Sequence, residues 1–170
     1  MPYTLEHNIQ INAEDVFRNR IRLFQKLMQN KVREILLVSS LYDFYLFEED
    51  GRLYELIREE YQTLNLSWAP EITHVTTGEE ALNLIKHQGN FEIIITTLHI
   101  EDMHVMQLAE KIREITKDIP IILLAYDNRE RKELTSQYDT TIFDRLFIWS
   151  GDYRLMMGIV KYVEDRLNLD

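Results

Sequence analysis

Residues 91–103 read FEIIITTLHIEDM: an aromatic, three consecutive isoleucines, two threonines and then a polar loop. A run this short and this rich in β-branched side chains fits a strand buried on both faces, and such strands belong to parallel sheets covered by helices. Comparable runs lie on either side of it. Glu34–Val38 (EILLV), Ile119–Ala125 (IPIILLA) and Asp144–Trp149 (DRLFIW) are apolar, and Ile72–Thr77 (ITHVTT) alternates as a half-buried strand does. Helical periods fill the intervals. Leu53, Leu56, Ile57, Tyr61 and Leu64 form one stripe; Ala81, Leu82, Leu84 and Ile85 a second; Val105, Leu108, Ala109, Ile112 and Ile115 a third. A weaker period covers residues 128–137, and Leu155, Met156, Ile159, Val160, Val163 and Leu167 make the last. Strands alternating with helices in this way predict a doubly wound α/β domain joined by right-handed crossovers.

Ahead of that domain, residues 13–30 place Phe17, Ile21, Phe24 and Met28 on one helical face, with Asn12 as the N-cap. The expected organisation is an N-terminal extension with one amphipathic helix over 1–31 and the α/β domain over 32–170. The extension packs on its own domain or on a partner.

Composition narrows the chemistry. The 170 residues include no cysteine, which removes thiolate catalysis, iron–sulfur ligation and cysteine-based zinc sites. Lys and Arg number 19 against 29 Asp and Glu, a net charge of −10 that repels a phosphate backbone, so no nucleic-acid partner is expected. No apolar run reaches membrane-spanning length and the N-terminus lacks a signal pattern, which predicts a cytoplasmic protein with no membrane partner. The five glycines, at 51, 78, 89, 151 and 158, build neither G-x-G-x-x-G nor G-x-x-x-x-G-K-[ST]. His7, His74, His87, His99 and His104 show no H-E-x-x-H spacing. No cofactor, metal or catalytic residue is expected, and the protein is read as not an enzyme.

In doubly wound sheets ligands bind outside the carboxyl ends of the strands. The residues there are Ser39 and Ser40 after the first run, Thr97 at the end of the third strand, Ala125 and Tyr126 after the fourth, and Trp149 and Ser150 after the fifth. Hydroxyls and aromatics dominate, where a magnesium-dependent phosphoryl site would need carboxylates and a lysine or arginine.

The order and wording of VREILLVSS, TTGEEALNLIKHQGNFEIIITTLHIEDM, DIPIILLAYD and DRLFIW resemble the receiver domain of bacterial two-component response regulators, over about residues 32–168. The resemblance implies a flavodoxin-like, CheY-like fold with strand order 2-1-3-4-5. Carried over by position, it also implies that the family's phosphorylation chemistry is gone. The acidic magnesium pair falls on Ser39 and Ser40, the phospho-acceptor aspartate on Thr97, the switch hydroxyl on Ala125, the lysine on Trp149 and the aromatic switch on Leu146. Trp149 beside the shortened Ala125 is expected to plug the old pocket. A narrower resemblance, carried by ILLVSSLYDFYLFEEDGRLYELIREEY and RLFIWSGDYRLMMGIVKYVEDRLN, is to the receiver-like segment ahead of the catalytic part in some bacterial proteins related to phosphoenolpyruvate synthase and pyruvate phosphate dikinase.

These readings imply a non-phosphorylatable pseudo-receiver that regulates through protein contacts in signal transduction. Its partner would be a separate protein or a tethered catalytic domain. The family's usual contact face would involve Arg129, Arg131, Tyr138, Leu146 and Tyr153, and a homodimer through that face or the N-terminal helix is a further expectation. Two alternatives stand beside it: a small-molecule sensor using Ser39, Ser40 and Thr97, and an atypical phosphorelay regulator. In Leu41–Asp50 (LYDFYLFEED), Tyr42, Phe44, Tyr45 and Phe47 are expected to pack on the body; a cation site from Asp43, Glu48, Glu49 and Asp50 is the less favoured reading. Glu101 and Asp102 read as a loop rim.

Overall fold

A computed structural model describes residues 18–19, 32–48, 59, 70–150 and 154–167. The chain divides into two compact units, Met1–Lys31 and Val32–Asp170. The helix expected over 13–30 and the stripe over 53–64 lie outside the described residues, apart from Arg18, Asn19 and Glu59, which are helical.

In the second unit the elements run β1 (Glu34–Val38), α1 (Leu41–Glu48), β2 (Glu71–Val75), α2 (Gly78–Gln88), β3 (Ile93–Thr97), α3 (Val105–Ile115), β4 (Ile121–Ala125), α4 (Asn128–Gln137), a 3-10 turn (Thr140–Ile142), β5 (Arg145–Ile148) and α5 (Arg154–Leu167). All strand pairs are parallel, in the order β2-β1-β3-β4-β5. The central three strands are the continuous apolar runs of the sequence. Each is covered on both faces, as parallel pairing by crossover requires.

Strand alternation sorts their side chains into two cores. Ile35, Leu37, Ile93, Ile95, Ile122 and Leu124 meet Ile159, Val160 and Val163 of α5, with Phe44 of α1 at the margin. Leu36, Val38, Ile94, Ile121 and Leu123 meet α2, α3 and Leu134 of α4 on the other face. At roughly 1.5–3 kcal/mol for each large aliphatic side chain fully buried, these two layers are the main stabilising term against chain entropy.

Helix ends are fixed locally. The Thr77 hydroxyl caps α2 by accepting from Glu80 N at 3.2 Å, and Gly89 ends it at φ 58°, a left-handed conformation that glycine adopts without steric cost. A second cap on α2 comes from a distant loop: the Asp102 carboxylate accepts from Gly78 N at 2.6 Å and Glu79 N at 3.0 Å. Asp102 is therefore more than a loop rim, since it ties the segment after β3 to the start of α2.

α1 corrects one expectation. Its inward face is Asp43, Phe44 and Leu46, while Leu41, Tyr42 and Tyr45 turn outward, with Tyr42 71% and Tyr45 66% exposed. A helical period cannot bury all the aromatics of LYDFYLF at once, and Tyr42 and Tyr45 lose that competition. The packing expected of Phe47 falls on a side chain outside those described.

At the amino-terminal edge of the sheet, Glu34 stands in register with Glu71 and close to Glu92. Burial, then repulsion from Glu71 and Glu92, raises the Glu34 pKa above its ordinary 4.5. A raised carboxyl pKa means that the folded state binds the proton more tightly than the unfolded chain. Its contribution to stability therefore grows as pH falls from neutral through the raised value, and levels off below about 4.5. Glu34→Gln is expected to be more stable than the wild type at pH 7, with the difference closing as the pH approaches that ordinary value. Urea titrations across this range check it; equal or lower stability of the variant at pH 7 would contradict the assignment.

Candidate functional site

The crossovers bring Ser39, Ser40, Thr97, Ala125 and Trp149 to one edge, because β1, β3, β4 and β5 are neighbours and end in register: Val38 pairs with Thr96, Thr97 with Leu124, and Ala125 with Ile148. This is the place where a doubly wound sheet presents its binding crevice.

Ser39 and Thr97 are almost fully buried. The Ser39 hydroxyl lies 3.0 Å from His74 Nε2, and the same nitrogen lies 3.0 Å from the Ser39 carbonyl oxygen. A carbonyl can only accept, so the proton sits on Nε2 and the ring is the donor. The Ser39 hydroxyl in turn donates to Ser40 O at 3.2 Å. This pair is thus no nucleophile with its base. His74 is instead clamped by stacking on Phe44, with ring centroids 3.9 Å apart.

The neighbouring loops are laced together in the same way. Ser40 N donates to His99 O at 2.8 Å, and the Thr97 hydroxyl donates to the same carbonyl at 3.4 Å. The Ser40 hydroxyl accepts from Asp43 N at 3.1 Å, capping α1. Glu130 of α4 accepts from His99 Nε2 at 2.8 Å and from Tyr126 N at 2.8 Å, joining the loops after β3 and β4. Trp149 N donates to Ala125 O at 3.0 Å. Ser150 follows at φ 48°, held by donation from its N and hydroxyl to Tyr126 O. A non-glycine residue in that left-handed region costs about 1 kcal/mol, which these two bonds offset.

The Trp149 side chain is 2% exposed and lies in the core cluster with Ile122, Leu124 and Ile159; the Tyr126 ring meets it edge-on at 5.7 Å. Alternation gives Thr97 the same face as Ile93 and Ile95, where the indole packs, and gives Ala125 the opposite face with Ile121 and Leu123. The indole therefore fills space on the Thr97 side of the strand ends.

The residues present do not fit a divalent cation with a phosphoryl group. No carboxylate stands at position 39, 40 or 97, and the His99 carbonyl is already engaged. Asp43 is buried with its Oδ2 accepting no hydrogen bond, the one fully buried side-chain polar atom without a partner among the described residues. No group of three or more metal-ligating side chains lies together among the described residues, so Asp43 alone does not rebuild the site. Glu48, Glu49 and Asp50 fall outside the described side chains.

Of the expected contact face, Arg129, Arg131 and Tyr138 are exposed on and after α4, while Leu146 is half-buried against the α3 side of the core. Tyr153 lies outside the described residues. Sequence reasoning missed His104, whose Nδ1 accepts from Met106 N at 3.1 Å and caps α3. No helix of the described residues is long and apolar enough to cross a membrane.

Comparison with known proteins agrees with the topology. No protein-family model matches the sequence, and neither does any curated protein. Among solved structures, the response regulator TrrA from Thermotoga maritima, in complex with magnesium and beryllofluoride, is similar at 26% identity and a TM-score of 0.53, over 77% of this chain and 98% of that one. A CheY-like receiver domain from Methanospirillum hungatei shares 15% identity with a TM-score of 0.56, over 81% of this chain and 97% of its own. The receiver domain of an HD domain-containing protein from Pseudomonas fluorescens shares 16%, with a TM-score of 0.56, over 82% of this chain and all of its own. The fold is the flavodoxin-like receiver fold.

Proposed function

We propose that this chain is a receiver-type regulatory domain that takes no phosphoryl group and works through protein contacts in bacterial signalling. The observation that carries the reading is the strand-end edge itself: Ser39, Ser40 and Thr97 supply no charge, their hydroxyls are bonded inward, and Trp149 occupies the adjoining core. A threonine hydroxyl cannot make the acyl phosphate of an aspartate, and a magnesium ion without carboxylates has little to hold it. Burial of Ser39 and Thr97 also weighs against a ligand held by those hydroxyls.

The polar face of α4, where Arg129, Arg131 and Tyr138 are exposed, is open to partners. The resemblance in wording to phosphoenolpyruvate synthase-like proteins makes a catalytic domain of that class the first partner to try, tethered or in trans. Calorimetric titration of the domain with this chain measures that contact, and no heat of binding would remove it from consideration.

The loss of phosphorylation is tested with magnesium and beryllofluoride, the phosphate mimic. A ligand that binds only the folded state, at a hundred times its dissociation constant, stabilises it by about 2.7 kcal/mol. No change in melting temperature is expected. A rise of several degrees at millimolar mimic would overturn the proposal.

A further inference from the structure

Beside the closed strand ends lies an open groove of about 350 Å³ between α4 and the segment that leads from β3 into α3. That volume is at the lower end of the ~300–1,000 Å³ typical of small-molecule sites. Leu98 and Leu134 are its apolar lining residues, and Leu134 is buried. Its end wall is a pair of rings, His104 and Tyr138, 4.8 Å apart at 35°. Because His104 Nδ1 accepts from Met106 N, the proton of the neutral ring sits on Nε2, which is left as a donor.

The lip carries both signs of charge. Arg129 and Glu133 are one helical turn apart, both exposed and both lining the groove. Side chains four apart on a helix are near enough to pair. Yet neither of these two forms an ion pair among the described residues, unlike His99 with Glu130 and Arg113 with Asp144. Glu130 is already spent on His99 and Tyr126 N. The lining thus combines a cation and an anion outside any ion pair with two leucines and two aromatic rings.

We infer that this groove binds a small zwitterion of the amino-acid class with an apolar or aromatic side chain. Arg129 takes its carboxylate, Glu133 its ammonium, and Leu98, Leu134 and the His104–Tyr138 pair take its side chain. A simple anion would face Glu133, and a simple cation Arg129, each without compensation. The groove lies apart from Ser39, Ser40 and Thr97 and does not depend on the loss of phosphorylation, although it shares Arg129 and Tyr138 with the face offered to partners.

The test uses the full chain with phenylalanine and leucine as probes. Phenylacetate lacks the ammonium, phenethylamine the carboxylate and glycine the side chain. Titration by calorimetry and by amide chemical shifts is expected to show saturable binding of phenylalanine or leucine, with shifts at Leu134 and Tyr138 and at least tenfold weaker binding of the three truncated probes. Arg129→Gln and Glu133→Gln, both at exposed positions, are each expected to weaken binding tenfold or more while the ligand-free melting temperature stays unchanged. Absence of saturable binding by either amino acid would overturn the inference. So would phenylacetate or phenethylamine binding as tightly as phenylalanine, or full binding by both variants.

Discussion

Trp149→Ala is expected to cost about 3–5 kcal/mol of unfolding free energy, the range for removing a large aromatic side chain from a packed core. In a domain of this size the loss corresponds to a fall in melting temperature on the order of 10 °C. The indole is 2% exposed and lies in the core with Ile122, Leu124 and Ile159, at the edge where the loops after β1, β3 and β4 meet. Its removal leaves a void that those aliphatic side chains can fill only in part. Trp149→Phe keeps most of the apolar volume and should lose distinctly less. Urea unfolding of both variants measures the difference, and a loss below about 1 kcal/mol for the alanine variant would mean that the indole is not a core residue.

A buried tryptophan at this position was legible from the sequence only as a departure. The run DRLFIW announced a strand, and what followed it was read against a resemblance. The strands themselves were the easy part. EILLV, FEIIITT and IPIILLA are continuous apolar runs, and those are central strands in the structure. The cap on α2 is local too, since TTGEE places threonine three residues before a glutamate from whose backbone N–H it accepts, but the alternation of ITHVTT assigns Thr77 to a strand, which ends at Val75. Some misreadings concern contacts between segments distant in sequence, and others weak local signals. Nothing near Asp102 says that its carboxylate reaches Gly78, 24 residues away. Histidine is an unusual N-cap, so His104 carried no signal. Tyr42 and Tyr45 looked like core because aromatics usually are, but the eight-residue α1 has one inward face and Asp43 holds part of it. The groove under α4 could not be read at all, because it depends on how the loop after β3 stands off from a helix that buries only Leu134.

The strand-end edge combines these local and distant effects. A site that handles a phosphoryl group must hold uncompensated charge open to solvent and ready to move. Here Ser40 N, the Thr97 hydroxyl, Glu130 and His99 spend their hydrogen-bonding capacity on one another. Such a network stabilises the conformation described, and on the proposed reading that suits a docking role better than a phosphorylation switch.

That distinction gives the second large effect, on Thr97→Asp. The substitution restores the carboxylate that the receiver resemblance puts at this position, but at a residue that is 1% exposed, with Ser39 and Ser40 as its uncharged neighbours across β1. A buried charge without a partner costs about 3 kcal/mol or more. Burial would raise the introduced carboxyl above its unfolded value of about 3.9, so the native state gains from protonation. The loss is therefore greatest at neutral pH and shrinks as the pH falls toward about 4. Thr97→Asn, similar in shape and uncharged, should lose less and show no such pH dependence. Magnesium at millimolar concentration decides what kind of edge this is. If Ser39 and Ser40 cannot replace carboxylates, the ion leaves the stability of Thr97→Asp unchanged. If it restores several degrees of melting temperature at pH 7, Asp43 or another group is completing a cation site, and the edge keeps a capacity for phosphoryl chemistry that its native residues conceal.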